Sequence, residues 1–161
     1  MEIKPIKLTP VITDGGFIFD GIKLITPTGE KIMYQDKGAL KLYNHSFSKI
    51  RPYGNILFVG VGFGLLYNNW KDCDGVKSFT GVDISDEVIE LNKRLGNNIN
   101  YVCADAFEYN PQDKFNIIIL DIFHDKPEGY IEKQKQLIDK YKKYLVDGGI
   151  LEYLKIHYIN I

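Results

Sequence analysis

Three glycines at alternating positions, Gly60, Gly62 and Gly64, follow the apolar run Ile56-Leu57-Phe58-Val59, and a carboxylate, Asp83, ends a second apolar run about twenty residues later. This pairing suits a ligand that contains a nucleoside. Glycines carry no Cβ, so a ligand can come close to the main-chain amides of the turn. An acid at that separation is placed to accept hydrogen bonds from ribose hydroxyls. The dinucleotide fingerprint Gly-x-Gly-x-x-Gly is met only in its first two positions, because the third falls on Leu65. A phosphate loop is excluded, since no Gly-Lys-Ser/Thr follows. No basic residue follows the glycines until Lys71, whereas a pyrophosphate would favour nearby donors. A cofactor with an amino-acid tail needs a roomy loop with carbonyls, so S-adenosylmethionine or a close relative is expected over a nicotinamide dinucleotide.

Four further groups are candidates for chemistry. Asp105 follows a third apolar run and is placed to accept from an adenine amino group, with the Ala106 amide nearby; a plain turn aspartate is the competing reading. Asp121 ends a fourth run, where an acid can orient or deprotonate an amine and so raise its nucleophilic fraction. His124 is an alternative base, because its unperturbed pKa lies near operating pH, although a solvated loop histidine is the plainer reading. Tyr34 would reach the site only if the N-terminal segment folds back over it. His45 and His157 have no companions at useful spacing. The two cysteines, Cys73 and Cys103, are far from metal-ligand spacing, and no metal is expected; Cys103 lies in an apolar strand pattern and is expected to be a small core residue.

Elements must hold these residues together. From Asn55 onward the pattern alternates strand and helix, which implies a parallel sheet with right-handed crossovers. Strands are expected at 55–60, 78–83, 100–104, 115–121 and 149–155. Helices are expected near 64–71, 86–95 and 129–145, with an irregular link at 106–112. Ser85 is a good N-cap, Asp86 and Glu87 complement the helix dipole, and Gly96 closes the helix. The lysines of the last helix fall mostly off its apolar stripe and read as a solvated face. Before Asn55, the turn dipeptides Gly15-Gly16, Asp20-Gly21 and Thr28-Gly29 punctuate a β-branched and aromatic stretch. They predict an antiparallel meander with strands near 17–20, 22–26 and 31–35. A linking helix near 39–48 would lay Leu40, Tyr43 and Phe47 along one face. In an open parallel sheet of this kind ligands lie beyond the carboxyl ends of the strands, where strand order reverses, and the glycines and the three acids Asp83, Asp105 and Asp121 all fall there.

The bulk properties bound the alternatives. A chain of 161 residues is one unit by size and large enough to bury a core. It is expected to comprise a meander and linking helix over 1–50 and a cofactor-binding domain over 51–161. Hydrophobic content of 45% and charged content of 25% are ordinary for a globular protein. A net charge of −1 offers no electrostatic case for nucleic acid or an anionic membrane. No continuous apolar run opens the chain, so neither a signal peptide nor a membrane span is expected. A reducing, cytoplasmic setting follows from the sparse cysteines.

The motifs carry a family resemblance. Asn55-Ile56-Leu57-Phe58-Val59-Gly60-Val61-Gly62-Phe63-Gly64 resembles the first motif of class I S-adenosylmethionine-dependent methyltransferases, and Gly81-Val82-Asp83-Ile84-Ser85 their second. Val102-Cys103-Ala104-Asp105-Ala106-Phe107 and Phe115-Asn116-Ile117-Ile118-Ile119-Leu120-Asp121 resemble the third and fourth. The tract from Asp83 to Glu90, Asp105-Ala106-Phe107-Glu108 and the upstream Tyr34-Gln35-Asp36 are similar to the spermidine-synthase branch of that superfamily. The chain departs from aminopropyltransferases in placing Phe63 where their glycine-rich run carries an acid, and Ile122-Phe123-His124 where they carry Ser-Ser-Asp. The resemblance covers roughly residues 17–155. It implies an α/β, Rossmann-like doubly wound parallel sheet with a small N-terminal antiparallel meander, truncated at the C-terminus relative to the family's last helix and hairpin. It also implies Gly60, Val61, Gly62, Gly64, Asp83, Ile84, Asp105, Ala106 and Asp121 as cofactor-binding residues, and Asp121, His124 and Tyr34 as catalytic ones. The expected reaction is methyl transfer from S-adenosylmethionine to a small-molecule acceptor. Aminopropyl transfer from decarboxylated S-adenosylmethionine is the enzymatic alternative. A catalytically inactive cofactor-binding or interaction protein, oligomerising through an exposed sheet edge, is the non-enzymatic one.

Overall fold

The computed structural model describes residues 3, 10–123 and 127–155, with Ile32 and Tyr34 described by their backbone alone. Two sheets organise the chain. The first is an antiparallel meander, β1 (Val11–Ile12), β2 (Ile18–Phe19), β3 (Lys23–Ile25) and β4 (Lys31–Tyr34), in sequential order. The expected turns are present: the Asp20 carboxylate accepts from the amides of Ile22 and Lys23 and closes the β2–β3 turn. A fourth strand, β1, precedes the three expected. Helix α1 (Lys37–Phe47) begins at Asp36, whose side chain accepts from the Ala39 amide at 2.8 Å. Its buried face is Leu42, Ser46 and Phe47, with Leu40 and Tyr43 packed at its margin.

The second sheet is wholly parallel, with strands β5 (Gly54–Val59), β6 (Val76–Asp83), β7 (Asn100–Cys103), β8 (Phe115–Leu120) and β9 (Leu145–Tyr153) in the order β7-β6-β5-β8-β9. The chain thus builds outward from β5 to one side, then returns to build on the other. The crevice between the two halves opens at the ends of β5 and β8, the switch point where ligands bind in such sheets. Three helices join the strands: α2 (Leu65–Trp70), α3 (Asp86–Arg94) and α4 (Tyr130–Tyr141). No helix joins β7 to β8, in line with the irregular link expected there.

Side chains of a strand point alternately to opposite faces, and both faces of the central strands are covered. Ile56 and Phe58 of β5, with Ile117 and Ile119 of β8, face one core shared with α1, α2, α3 and the meander. Leu57, Val59, Ile118 and Leu120 face a second core closed by Leu137 and Tyr141 of α4. This double burial explains why β5 and β8 read as continuous apolar runs rather than alternating ones.

Several expectations need correction. Helix α4 ends at Tyr141, a 3-10 turn follows at Lys142–Tyr144, and β9 already begins at Leu145. Gly148-Gly149 is therefore an irregularity inside the strand, not its entrance: the register with β8 slips between Phe115↔Leu145 and Ile117↔Ile150. Ile131 of α4, an apolar residue near the start of the helix, is half exposed. Cys103 is exposed rather than a core residue. It ends β7, the edge strand, which lacks a covering neighbour on its outer side.

Candidate active site

A cleft of about 420 Å³ opens at the carboxyl ends of the parallel strands. Its lining comes from five segments. Gly60 and Gly62 follow β5; Val82, Asp83, Ile84, Ser85 and Val88 run from β6 into α3; Ala104, Asp105, Ala106 and Phe107 follow β7; Asp121 and Ile122 follow β8; and Met33 comes from β4. Among the described residues the lining holds three carboxylates and no lysine, arginine or histidine.

The glycine turn is built by close approach. Gly60 has φ +91°, and a Cβ there would lie 2.1 Å from the Asp121 carbonyl oxygen, so the turn after β5 presses against the end of β8 with no room for a side chain. Gly64 behaves differently from expectation. It begins α2 with φ +72°, and the space beside it is filled by the Asn97 and Asn92 side-chain amides. Gly64 does not line the cleft, and neither does Val61, whose side chain is buried in the core. The Val61 amide still serves the site, donating to Asp83 Oδ2 at 3.0 Å. Phe63, standing where the aminopropyltransferase pattern carries an acid, is buried and packs on Phe19 of β2, ring centroids 4.8 Å apart. The aromatic ties the meander to the turn.

Asp83 ends β6 and accepts two backbone hydrogen bonds, from Val61 to Oδ2 and from Ser85 to Oδ1, each at 3.0 Å. Ser85 in turn caps α3 by accepting from the Val88 amide. A carboxylate offers about four lone-pair sites, so Asp83 keeps acceptor capacity toward the cleft while fixing the turn on either side of it. Ile84, beside it, is 71% exposed, an apolar side chain held in the open at the rim. Asp105 Oδ1 accepts from the Phe107 amide at 2.8 Å and shapes the turn after β7.

Asp121 is the most buried of the three acids. It is 7% exposed; Oδ2 accepts from the Tyr43 hydroxyl of α1, and Oδ1 has no hydrogen-bond partner among the described residues. Burial pushes its carboxyl up to about 7, the Tyr43 hydrogen bond opposes this, and the Asp83 charge adds to it. Burial, and then the neighbouring carboxylate, hold the Tyr43 hydroxyl well above the ordinary phenol range. Cys103, near the rim, has its thiol raised by a hydrogen bond to Asp86 and by burial, the opposite of an activated nucleophile.

Sequence reasoning missed three supports. Asn92 of α3 is fully buried; its amide donates to the Gly62 and Val88 carbonyls at 2.7 and 2.9 Å, and its Oδ1 accepts from Asn97. The available signal was a polar residue four positions after Val88, on the apolar face of α3. Tyr141 of α4 donates to the Ala106 carbonyl at 2.6 Å, and Lys140 to that of Phe107 at 2.7 Å, so α4 clamps the turn after β7. Tyr43 is the third, and no spacing rule linked it to Asp121. Of the expected catalytic residues, Tyr34 ends β4 opposite Lys23, with its side chain outside the description, and His124 lies outside the described residues. Within Tyr34-Gln35-Asp36, the Gln35 amide donates to the Gly21 carbonyl and Asp36 caps α1, so both have structural duties.

A family model described as a methyltransferase domain matches residues 56–149, more than half of the chain. The chain belongs to the methyltransferase domain family. The sheet order, the glycine turn and Asp83 accord with the class I S-adenosylmethionine-dependent superfamily. Among curated proteins, the domain is 27% identical over 100 residues to malonyl-[acyl-carrier protein] O-methyltransferase 2 of Ilyobacter polytropus, covering 60% of this chain and 37% of that protein. Among solved structures, the DhpI–SAH complex superposes with a TM-score of 0.52 at 19% identity, over 63% of this chain and 48% of that one. The N-methyltransferase NodS from Bradyrhizobium japonicum gives 0.51 at 21% identity, over 70% and 63%. These structural matches establish a shared fold. The chain spans about a third to two thirds of the length of these relatives. Among the described residues no helix is long and apolar enough to cross a membrane.

Proposed function

We propose that the chain is an S-adenosylmethionine-dependent methyltransferase acting on a small molecule. The observation that carries the reading is the charge of the cleft: among the described residues, Asp83, Asp105 and Asp121 line it and no cationic side chain does. A pyrophosphate-bearing dinucleotide would meet three acids and, among the described residues, no basic side chain there, whereas a sulfonium with an ammonium-bearing tail carries the complementary charge. The volume is in the range of a cofactor site. The similar DhpI and NodS structures, which include complexes with the cofactor or its demethylated product, support the same ligand.

In this reading Asp83 takes the ribose hydroxyls with its remaining lone pairs, and Ile84 covers one face of the adenine. Asp105 and the Ala106 amide meet the base edge, and the turn at Gly60 and Gly62 receives the amino-acid tail. Bound there, the cofactor supplies a methyl group already activated by the sulfonium. The protein's own work is alignment, with a nucleophile held about 3 Å from the transferred carbon. Asp121 belongs to the cofactor side, because it sits at the glycine turn and is pinned by Tyr43. Residues 1–50 and 51–161 act as one unit, the first contributing Met33 and Tyr43 to the second's site. Methyl transfer is preferred to aminopropyl transfer because Gln35 and Asp36 of the spermidine-synthase-like element already have structural partners.

Titration calorimetry of the chain with S-adenosylmethionine and its demethylated product tests the cofactor, and transfer of a labelled methyl group across an acceptor panel tests the reaction. One site per chain and transfer to a small acceptor are expected. No binding of either ligand would overturn the reading. Formation of spermidine from putrescine and the decarboxylated cofactor would replace it with aminopropyl transfer, and binding without turnover would favour the non-enzymatic role.

A further inference from the structure

We propose that Tyr43, from the helix preceding the matched methyltransferase domain, is a positioning residue that holds Asp121 as a one-oxygen anchor for the ammonium of the cofactor tail, and that this anchor gives up a proton when the cation docks. The inference rests on the S-adenosylmethionine reading above and states how that site selects a charged tail.

Three observations meet at this point. The Tyr43 hydroxyl donates to Asp121 Oδ2, which leaves Oδ1 as the oxygen without a partner among the described residues. Asp121 lines the cleft yet is 7% exposed, so water cannot solvate that oxygen freely. The Tyr43 hydroxyl also lies against the glycine turn, 3.9 Å from where a Gly62 Cβ would stand. A buried carboxyl with an empty acceptor is costly as a lone anion, so it must be neutral or paired with a cation.

Among the described residues no such cation faces Asp121. The described ionisable groups facing Asp121 are Tyr43 from α1 and Asp83 from β6, neither of them basic. The other neighbours at the turn, Met33 from β4, Gly60, Gly62 and Ile122, are uncharged. Burial and the Asp83 charge accordingly hold its carboxyl up to about 7. An ammonium arriving at Oδ1 is the missing partner. As it docks, the O–H bond of the Asp121 carboxyl breaks and its proton passes to solvent. The carboxylate then accepts an N–H from the intact ammonium, and no other bond changes. Tyr43 keeps the carboxyl from rotating, so the free oxygen stays the one available to the tail.

The test is calorimetry of the whole chain near pH 6.5, in buffers of different ionisation enthalpy. Three ligands are compared: S-adenosylmethionine; its demethylated product, which keeps the ammonium and loses the sulfonium charge; and 5′-methylthioadenosine, which has no tail. Release of roughly 0.5–1 proton is expected for the first two and none for the third, given a group half-titrated near neutrality. Asp121→Asn should abolish the release for both tailed ligands. Tyr43→Phe removes a hydrogen bond that favours the anion, so the pH profile of release should move upward by about half to one pH unit; a merely structural tyrosine would leave that profile in place. Should either variant fail to fold, infrared difference spectra of the wild-type chain serve instead, and the protonated-carboxyl band should vanish on adding S-adenosylmethionine. Equal release for all three ligands, binding without release, or a band that persists would overturn the inference while leaving the cofactor reading standing. Failure of all three ligands to bind would remove both.

Discussion

Replacing Asp121 with Asn isolates the cost of keeping an acid in this site. The asparagine keeps the shape and can still accept from Tyr43, but it cannot ionise. In the unfolded chain an aspartate releases its proton near the ordinary value of 3.8, whereas in the fold Asp121 holds it to about 7. Below 3.8 the group is neutral in both states and costs nothing. As pH rises, the unfolded chain ionises first, so the folded state binds more protons and loses stability. The contribution of Asp121 is therefore fully present below pH 3.8 and is gone once pH has passed about 7. At roughly 1.4 kcal/mol per pH unit, the whole displacement is worth about 4 kcal/mol, of which roughly 2.5–3 kcal/mol falls between pH 5 and 8. Urea unfolding of the ligand-free chain and of Asp121→Asn at several pH values in that window measures it. The stability difference in favour of the variant should widen by about that amount, and other carboxylates cancel in the comparison. A difference that stays flat within about 0.5 kcal/mol would show that Asp121 is ionised and solvated in the fold, and the reasoning on its burial would fall.

Three other perturbations probe separate links. Asp83→Ala removes the acceptor for two backbone amides and, in the proposed reading, for the ribose; cofactor affinity should fall by roughly 1.5–3 kcal/mol, and an unchanged dissociation constant would show the ribose lies elsewhere. Gly60→Ala and Gly96→Ala both place a side chain at positive φ, but only the first meets a carbonyl, at 2.1 Å, while nothing lies within 4 Å of the second. Gly96→Ala should cost about 1–2 kcal/mol, and Gly60→Ala several more on urea unfolding; equal losses would show that the turn after β5 can open away from β8. Phe63→Ala should cost about 3–5 kcal/mol, the scale of a deleted core aromatic, and should expose the meander to limited proteolysis; a loss under 1 kcal/mol would mean that Phe63 does not anchor it.

Much of the frame was legible in the chain because it depends on local rules. The alternation of apolar runs with amphipathic stretches foretold the parallel sheet, and Ser85 and Gly96 mark the ends of α3 through chemistry confined to a few residues. The same locality explains the errors. Cys103 reads as a strand residue either way, and only the sheet order makes β7 an edge. Gly148-Gly149 carries a turn signal, yet pairing with β8 absorbs it as a slip in register.

What the sequence determined by itself is which ends of which strands carry glycines and acids, because strand period and turn chemistry are properties of neighbours along the chain. Which of those groups share a cleft was decided by tertiary structure alone. Gly64 is shut off by Asn92 and Asn97, Phe63 is turned inward onto Phe19, and Tyr43 is brought to Asp121 across 78 positions. Contacts between residues so far apart depend on how whole elements pack and on which buried polar atoms must find partners, and no pattern of adjacent residues encodes that.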